Sequence, residues 1–545
     1  MIYNITSSKT HPYFLDFKIT FIAKEDNQVL QLPLWRPGRY QVQTFAKNIR
    51  SIKASCKGAN LKVQTVARNT WSVLNSKKGD EIELYYEYYA RHQDAGGTWV
   101  SETFWLINFI GAGILPRGLS EEEIKVNIAF PSTFDVATSA KEVNGTYSYQ
   151  NFDELVDTPF MAGRYMHHKT FEMASTTFHI WLHGRITPEW EKIITDFRLF
   201  TAPQLSIFGG FPHKEFHYLC LIPHFKHYHG VEHQKSTVIT LGPDTEFSSA
   251  TFYENLLGIS SHELFHVWNI KKIRPVELLP YNLFEEVYFD TGFVAEGVTT
   301  YYGDALLYRS GAYSVEQYKK ELNQLLARHF ENQGRFNLSV ADSSLELWTD
   351  GYEKGIPARK TSIYVKGAVG ALILDAKIQK QTNATKSLDD VMRLMWERFG
   401  SKDVGYTAKD YQNIAEEVIG CSLEKYFEEV IFGDLSLENE VEEALVYLGW
   451  EVEVTPPKEA FAANYGVKID ASAKVIDTSY KLDKQRLVEG DQIMAIDGVK
   501  TDAKHLQQFV SSKEMLTITF IRDSTLCQIE LFKKNMLHYL KINVT

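Results

Sequence analysis

Short runs in which apolar and polar residues alternate fill the first part of the chain. The alternation extends from residue 14 to about residue 165 and is clearest at 17–23, 81–89 and 124–130. Because successive side chains of a strand point to opposite faces, this pattern predicts an antiparallel β-sandwich. Two further strands are predicted at 170–183 and 216–222.

From Thr251 onward, apolar residues recur every three or four positions, which is the period of an amphipathic helix. The pattern predicts helices at 251–270, 291–310, 314–333, 362–380, 387–399, 407–419 and 422–432. Thr291 is expected to cap the second of these helices. The middle of the chain is therefore predicted to be mostly helical.

The pattern changes again after Trp450. Pro456-Pro457 marks a break, and the alternating apolar residues around Asp497-Gly498 predict a β-hairpin with a tight turn. We therefore predict a multidomain α+β protein. Its domains would be a β domain at 1–165, a mostly helical domain at 166–449 and a second β domain at 450–545.

The composition is typical of a globular protein. The chain has 545 residues, of which 44% are hydrophobic, and this length is too great for one ordinary core. A net charge of −11 argues against nucleic acid or an anionic membrane as the main partner. No uncharged run is long enough to span a membrane.

The cysteines and the N-terminus indicate a cytoplasmic protein. Cys56, Cys220, Cys421 and Cys527 lie far apart without a paired spacing, which favours free thiols over a disulfide framework. The first 21 residues alternate polar and apolar positions and lack the basic start and apolar core of a signal peptide. We therefore expect the protein to be cytoplasmic.

The most informative segment is Ser261–His266, which lies in a predicted helix. Residues four apart share one helix face, so His262 and His266 can direct their imidazoles at one metal ion. Glu263 is displaced beside that face, where it can act as a general base. Taken alone, two histidines on a helix can also be purely structural.

Glu296 supplies the third metal ligand in this hypothesis. It lies in Phe293–Gly297, near the start of the next predicted helix. Two histidines and one glutamate leave the fourth tetrahedral position of zinc for water, which is the open arrangement that catalysis needs. On its own, Glu296 would be interpreted as an ordinary helix carboxylate, and only its partnership with the histidines gives it this role.

Several segments together resemble the M61 family of glycyl aminopeptidases, in the gluzincin group with thermolysin and the relatives of aminopeptidase N. Leu32–Tyr40 and Phe45–Ile49 look like the family's N-terminal signature, and His262–Pro275 looks like its zinc-helix signature. Gly490–Gly498 is similar to the PDZ domain that often ends these proteins. The resemblance implies an N-terminal β-sandwich-like domain, a thermolysin-like zinc peptidase domain and a C-terminal PDZ-like domain.

The resemblance also implies two substrate-binding residues. Gly230–His233 is similar to the family's Gly-Leu-Glu-His segment, which occupies the place of the exopeptidase motif of aminopeptidase N. By this match, Gly230 and Glu232 contact the substrate, and the Glu232 carboxylate pairs with the free α-ammonium group. Without the resemblance, Glu232 would be interpreted as a strand-end residue in a histidine-rich loop.

Tyr364 receives its role in the same way. Tyr364–Gly367 is similar to the Tyr-x-Lys-Gly motif of the wider group, in which the tyrosine hydroxyl stabilises the tetrahedral oxyanion. A phenol can donate this hydrogen bond without competing for the metal. Without the motif, helix packing is the simpler interpretation for one tyrosine among 29.

Three positions depart from the family pattern. His229 stands where a glycine is expected before Gly230, which predicts a narrower or more polar substrate pocket. Thr300 replaces the acidic residue that often holds a ligand histidine in thermolysin-like sites, so support for that histidine must come from elsewhere. Asn464–Val467 replaces the Gly-Leu-Gly-Phe carboxylate loop of a PDZ domain.

A histidine-rich segment raises the alternative of a second metal site or a pH sensor. Its histidines are His213, His217, His224, His227, His229 and His233. Strand alternation spreads these imidazoles over both faces, and no acidic or cysteine partner accompanies them at ligand spacing. The favoured interpretation is that this segment holds no second metal.

The sequence therefore leads to the hypothesis of an aminopeptidase that binds one Zn²⁺ ion per chain and cleaves peptides with a free N-terminus. The family implies a preference for Gly or Ala as the first residue. A thermolysin-like endopeptidase and a catalytically inactive binding scaffold are the alternatives. The PDZ-like domain is expected to contact a peptide or another part of the chain.

Overall fold

The computed structural model describes residues 1–9, 11–353, 355–457, 459–479, 487–509, 513–533 and 541–544. These residues form a β-rich N-terminal part, a central part in which helices accompany one sheet, and a C-terminal part built on small sheets. Within the described ranges, no helix is long and apolar enough to cross a membrane.

The N-terminal part consists mostly of short strands, as the alternating pattern predicts. Its strands are β1 (Ile2–Ser7), β2 (Phe14–Ile22), β3 (Val29–Gln31), β4 (Ile49–Cys56), β5 (Ala59–Leu61), β6 (Val63–Ala67), β7 (Thr70–Val73), β8 (Glu81–Tyr89), β9 (Trp99–Val100), β10 (Phe104–Ile107), β11 (Leu115–Pro116), β12 (Ile124–Ala129), β13 (Asp135–Ala137), β14 (Lys141–Val143), β15 (Thr146–Tyr149) and β16 (Phe160–Gly163). Two short helices, α1 (Phe109–Ala112) and α2 (Phe152–Val156), interrupt them.

An eight-stranded sheet in the order β14-β15-β12-β1-β2-β8-β4-β5 dominates this part, and only the β1–β12 pair is parallel. Buried and exposed residues alternate along β8, so one face of the sheet covers the core. Two four-stranded sheets, β13-β16-β10-β9 and β11-β3-β7-β6, complete the N-terminal part. The prediction of a β-rich N-terminal part is thus confirmed.

The central part begins with a five-stranded sheet in the order β17-β18-β19-β21-β20. Its strands are β17 (Met166–Met173), β18 (Thr176–His183), β19 (Glu215–Leu221), β20 (His227–Glu232) and β21 (Ser236–Gly242). Strands β18, β19 and β21 are parallel, and the two edge strands run antiparallel to their neighbours. Gly230 and Glu232 therefore lie on an edge strand.

Helices make up the rest of the central part. They are α3 (Trp190–Phe208), α4 (Ala250–Phe265), α5 (Thr299–Ser310), α6 (Val315–Phe330), α7 (Val340–Leu345), α8 (Leu347–Asp350), α9 (Ile363–Gln381), α10 (Leu388–Arg398), α11 (Ala408–Ile419), α12 (Glu424–Tyr426) and α13 (Glu438–Tyr447). Segments Phe293–Val298 and Phe427–Ile431 are π-helical. Short 3₁₀ helices lie at Phe45–Asn48, Asp244–Glu246, Val276–Leu278, Gln333–Phe336 and Gly400–Lys402.

The structure confirms the predicted mostly helical centre and corrects it in several places. Helices α3, α7, α8 and α13 have no counterpart in the prediction, and Pro203 lies inside α3. The helix predicted at 251–270 ends at Phe265. The helix predicted to start at Thr291 begins instead with a π-helical turn capped by Gly292 without a side-chain bond. Thr291 contributes its carbonyl, which accepts hydrogen bonds from the Val294 and Ala295 amides at 2.9 and 3.1 Å.

The C-terminal part is built on three small sheets. Its strands are β22 (Val452–Thr455), β23 (Val467–Ile469), β24 (Val475–Thr478), β25 (Gln492–Ile496), β26 (Val499–Lys500), β27 (Met515–Arg522), β28 (Thr525–Phe532) and β29 (Lys541–Val544), and its helices are α14 (Ala460–Tyr465) and α15 (Ala503–Phe509). The predicted hairpin around Asp497-Gly498 is confirmed as β25–β26.

The buried cores show how these parts associate. One continuous hydrophobic cluster joins residues of the N-terminal and central parts, and it also includes Val544 of β29. The C-terminal part has a separate cluster that includes Phe461, Val475 and Leu516. The N-terminal and central parts therefore share one core. Side chains of both parts can line the same cavity.

Candidate active site

Helix α4 positions the predicted metal-binding histidines. The Ser249 hydroxyl caps its N-terminus by accepting a hydrogen bond from the Phe252 amide at 3.1 Å. At the other end, His262 and His266 share one face, and their Nε2 atoms lie 3.0 Å apart. His266 is only 2% exposed, so its ring is fixed within the protein interior.

Glu296 reaches these histidines from the π-helical segment. Its Oε2 atom lies 3.3 Å from Nε2 of His266, and the residue is 1% exposed. The donor atoms of His262, His266 and Glu296 all lie within 4.8 Å of one another. The structure thus brings together the three residues that the sequence predicts as ligands.

The close packing of Gly297 explains how this segment is positioned. A Cβ atom at Gly297 would lie 2.5 Å from the Cα atom of Gly367, so the π-helical backbone and helix α9 approach each other where neither has a side chain. Tyr364 is on the same helix as Gly367, which places it beside Glu296. The two glycines therefore determine the relative position of both functional residues.

Asn269 is a functional residue that the sequence reasoning did not identify. Its carbonyl lies 3.0 Å from Nδ1 of His266 and accepts a hydrogen bond there, which leaves Nε2 of the histidine free for a metal. Its side-chain amide donates to the Val294 carbonyl at 2.8 Å and to the Thr299 hydroxyl at 3.0 Å. Asn269 thereby supplies the support for a ligand histidine that Thr300 does not provide.

Glu263 lies in the same interior space beside the metal donors. It is 5% exposed, and a Cβ atom at Gly230 would lie 2.0 Å from its Oε1 atom. Only glycine at position 230 therefore leaves room for this carboxylate. Burial, together with the nearby Glu232 and Glu296 carboxylates, raises the pKa of Glu263 above its ordinary value.

Glu232 closes one end of the site. It is 4% exposed, and its Oε2 atom would be only 2.3 Å from a Cβ atom at Gly38. Its Oε1 atom has no hydrogen-bond partner among the described residues. A buried carboxylate oxygen without a partner is unusual and indicates a place for a cationic or hydrogen-bonding ligand.

Tyr364 lies on the other side of the metal donors. Its ring lies next to that of Tyr352, with the two centroids 6.3 Å apart, and the Tyr352 hydroxyl accepts a hydrogen bond from the Tyr40 amide at 3.2 Å. Burial and the adjacent Glu296 carboxylate raise the pKa of Tyr364 well above its ordinary value. The hydroxyl is therefore protonated at neutral pH and can donate a hydrogen bond.

His229, the departure from the family pattern, connects two parts of the chain. Its Nε2 atom accepts a hydrogen bond from Nη2 of Arg36 at 3.1 Å, and its Nδ1 atom lies 3.7 Å from Asp94. Burial and the nearby Arg36 guanidinium lower the pKa of His229 to about 3. This neutral imidazole and the buried Arg36 make the wall next to Gly230 polar.

These side chains surround one cavity of about 410 Å³. The N-terminal part contributes Arg36, Gly38 and Arg39 to its wall, and the central part contributes the metal donors and Glu263. The cavity therefore requires both parts. It combines three metal donors, a carboxylate base, a phenol donor and an unpaired carboxylate, which is the set of groups needed to hydrolyse an amide bond next to a free amine.

Comparisons with known proteins agree with this chemistry. Residues 2–164 match the family model of the Peptidase M61 N-terminal domain, and residues 255–369 match that of the M61 glycyl aminopeptidase. Together, the two matched segments make up just over half of the chain. The comparison with curated protein sequences found no match.

One solved structure shows the same fold along the whole chain. An aminopeptidase N family protein from Idiomarina loihiensis is 25% identical, with a TM-score of 0.87, and the match covers 100% of this chain and 98% of that protein. The M1 zinc metallopeptidase from Deinococcus radiodurans is 14% identical with a TM-score of 0.46, over 79% of this chain and 93% of that one. A mutant of that metallopeptidase bound to a Tyr-Ser-Ala substrate has the same identity and TM-score, over 82% and 92% of the two chains.

Proposed function

The chain belongs to the M61 family of peptidases, and from this premise we propose that it is a zinc-dependent aminopeptidase that prefers peptides with a small first residue. The observation that carries the proposal is the position of Glu232. This buried carboxylate lines the cavity that contains the metal donors, and one of its oxygens has no partner among the residues described. By binding the ammonium group at the start of a peptide, such a carboxylate would make a peptidase site recognise chain ends.

The donor set fits Zn²⁺. Two imidazole nitrogens and one carboxylate oxygen converge within 4.8 Å, and the Asn269 carbonyl fixes the tautomer of His266. We infer that His262, His266 and Glu296 hold the ion. When bound, zinc supplies a Lewis acid that polarises the scissile carbonyl and makes water a nucleophile at neutral pH.

Glu263 would act as the general base and then as the general acid. One of its oxygens lies against Gly230, and Oε2 has no hydrogen-bond partner among the described residues, so that oxygen is available to the reactants. Glu263 accepts a proton from the attacking water and delivers it to the leaving amine. Because Glu263 passes on the proton that it accepts, it has the same charge after each turnover as before.

Tyr364 would stabilise the negative charge that develops on the scissile carbonyl oxygen. Its hydroxyl already lies beside the ligand Glu296 and is kept protonated, so it can donate a hydrogen bond without reorganising. The Tyr352 ring packs beside that of Tyr364, with the two centroids 6.3 Å apart. Tyr364 and the metal site thus flank the same reacting atom.

Glu232 would bind the α-ammonium group of the substrate and set cleavage after one residue. A free ammonium satisfies the unpaired oxygen, whereas an acetylated N-terminus removes the cation and leaves the buried carboxylate unpaired. A small first residue, Gly or Ala, is supported by the match to the M61 glycyl aminopeptidase model and by the hydrogen-bonded His229–Arg36 pair next to Gly230.

For the C-terminal part, we propose a PDZ-like domain that makes an intramolecular contact. Support comes from its own hydrophobic core and its sheet in the order β26-β25-β27-β28. Lys468 of β23 lies 3.0 Å from Glu331, immediately after helix α6 of the central part. Asn323 of that helix exchanges two hydrogen bonds with the Val544 backbone, at 2.7 and 3.1 Å.

Product analysis tests the proposed function. Zinc-loaded protein is incubated with peptides that begin with Gly, Ala or Leu, each with a free or an acetylated N-terminus, beside a Glu263→Gln variant. We expect release of the first amino acid from the free Gly and Ala peptides, and none from the acetylated peptides or with the variant. Internal cleavage of acetylated peptides would identify an endopeptidase, and no cleavage would identify a binding scaffold.

A further inference from the structure

A second group of metal-binding side chains lies on the central sheet, outside the proposed active site. It consists of His179 on β18 and of Glu215 and His217 on β19, with His168 of the edge strand β17 next to His179. None of these residues lines the active-site cavity described above. The group is a separate feature of the sheet.

Strand pairing assembles this group. His179 lies directly opposite His217 in the parallel β18–β19 pair. Glu215 is two residues before His217 and therefore points to the same face of β19. The sequence interpretation considered alternation along one histidine-rich segment, whereas the structure draws its members from neighbouring strands.

Farther along β19, the face that carries this group packs on the N-terminal part. Leu219 and Leu221, which follow His217 on the same face of β19, belong to a cluster with Phe104 and Leu106 of the N-terminal part. The group thus lies beside the interface between the central sheet and the N-terminal sheets.

The donor atoms are already close together. The rings of His179 and His217 are parallel within 1°, with centroids 4.2 Å apart. Nε2 of His217 lies 3.9 Å from Oε2 of Glu215, and one donor atom from each of His179, Glu215 and His217 lies within 4.8 Å of the other two. Because the two rings are stacked, at least one imidazole must rotate about its side-chain torsions to direct its in-plane lone pair at a shared ion.

His217 provides a second, independent observation that points to a ligand. It is 5% exposed, yet neither of its ring nitrogens has a partner at hydrogen-bonding distance among the described residues. Buried polar atoms normally find a partner, because leaving them without one costs free energy. A bound ion would satisfy one of these nitrogens.

We propose that His179, His217 and Glu215 form a second metal site, which binds a divalent first-row transition ion such as Zn²⁺. Two imidazoles and one carboxylate are ligands that suit this class of ion, and binding draws the three donors to bond lengths of about 2.0–2.2 Å. His168 is a positioning residue: its Nε2 lies 3.1 Å from Nδ1 of His179, so His179 can donate there and present its other nitrogen to the ion.

The consequence is a structural connection across the sheet. An ion at this place links β18 to β19, and through His168 it also orders the edge strand β17. Because the ion binds the folded sheet and not the separated strands, it raises the stability of the protein by mass action. The site has no part in the proposed hydrolysis.

Metal content tests the proposal directly. The full chain is stripped with a chelator, reloaded with Zn²⁺ and analysed for zinc beside the Glu215→Gln and His179→Gln variants, whose side chains are partly exposed at the sheet surface. We expect each variant to hold one equivalent less than the unmodified protein. His224→Gln is the control, because that imidazole pairs with Asp244 outside the group, and it should lose none.

Two further readouts separate this site from the proposed active site. Crystals measured at the zinc absorption edge should show an anomalous peak between His179, Glu215 and His217, and His168→Phe should weaken binding there about 10- to 100-fold. The Glu215→Gln variant should keep its peptidase activity and lose part of the zinc-dependent rise in melting temperature. Equal zinc content in all variants, or a peak only at His262, His266 and Glu296, would overturn the proposal whether or not the chain is an aminopeptidase.

Discussion

Two carboxylates of the proposed active site lie directly against glycines. Gly230 leaves room for Glu263, and Gly38 leaves room for Glu232. At both positions the absence of a side chain determines where a reactive oxygen can lie. At the residue scale, the site therefore depends on the two glycines, which have no side chain, as much as on its charged groups.

Gly230→Ala is expected to displace Glu263 by about the size of a methyl group. A shift of about 1 Å in a catalytic group can lower kcat/KM about 10²-fold, while the zinc content should stay unchanged. Steady-state kinetics with a Gly-initiated peptide and zinc analysis measure both quantities. Gly258→Ala is the control in the same cavity, because its added carbon would approach no atom closer than 3.2 Å. Unchanged kinetics for Gly230→Ala would contradict the assigned position of the base.

Tyr364→Phe is expected to lower kcat by about two to three orders of magnitude, because one preorganised oxyanion donor is lost. The variant should still bind zinc, since the hydroxyl is not one of the three donors. Tyr313→Phe serves as a control, because its hydroxyl donates to the Glu254 carbonyl in another part of the cavity. Full turnover by the Tyr364 variant would remove the residue from the mechanism.

Sequence spacing predicted part of this chemistry. His262 and His266 were identifiable because helical spacing alone puts them on one face, and Glu232 and Tyr364 through short motifs. Asn269 was not identifiable in this way, because its backbone carbonyl contacts His266 and every residue type carries the same carbonyl. Gly38 was likewise invisible, since its contact with Glu232 joins distant parts of the chain.

At the scale of elements, the π-helical turn Phe293–Val298 is the feature that directs Glu296 to the histidines. Its shape depends on packing against α9 at Gly367, a contact that local periodicity cannot reveal. Helix α3 was missed for a related reason. A proline usually indicates the end of a helix, and Pro203 lies in the interior of α3. Burial of Phe197, Phe200 and Leu205 keeps this helix continuous.

Asn269→Ala tests whether this turn is held by the loop after α4. The change leaves the Val294 carbonyl without its side-chain donor and loosens the connection between His266 and Glu296. We expect zinc affinity, measured by competition with a chelator, to fall about 10- to 100-fold. Asn323→Ala, which removes a similar pair of hydrogen bonds near Val544, should leave zinc affinity unchanged. Equal zinc affinity in both variants would mean that Asn269 does not support the site.

At the scale of the whole molecule, an ion pair joins Asp157 of the N-terminal part to Lys271, which lies in the loop after helix α4. Oδ1 of Asp157 lies 2.6 Å from Nζ of Lys271, and its Oδ2 accepts a hydrogen bond from the Gln234 amide at 2.9 Å. Burial opposes ionisation of Asp157, but Lys271 and His233 outweigh it and hold the pKa of this carboxyl well below its usual range. The ion pair therefore contributes stability while Asp157 is charged.

This depressed pKa predicts a pH dependence of stability. The contribution is complete well above the unfolded-state pKa of about 3.9, and it is lost as the pH falls from about 5 to about 1. The melting temperature of metal-free protein should therefore decrease as the pH is lowered from 7 to 3, and Asp157→Asn should start lower and fall less. An identical pH profile for that variant would show that the ion pair does not contribute.

We propose that Glu232 makes this peptidase act only on chain ends. The most direct test is the ratio of kcat/KM for a free Ala-initiated peptide to that for its acetylated form, in zinc-loaded protein and in Glu232→Gln, with Glu254→Gln as the control carboxylate in the same cavity. Losing a buried ion-pair partner should lower kcat/KM on the free peptide about 10²-fold or more and remove most of the preference, while the control keeps it. A Glu232→Gln variant that retains the preference for the free amine would contradict the account.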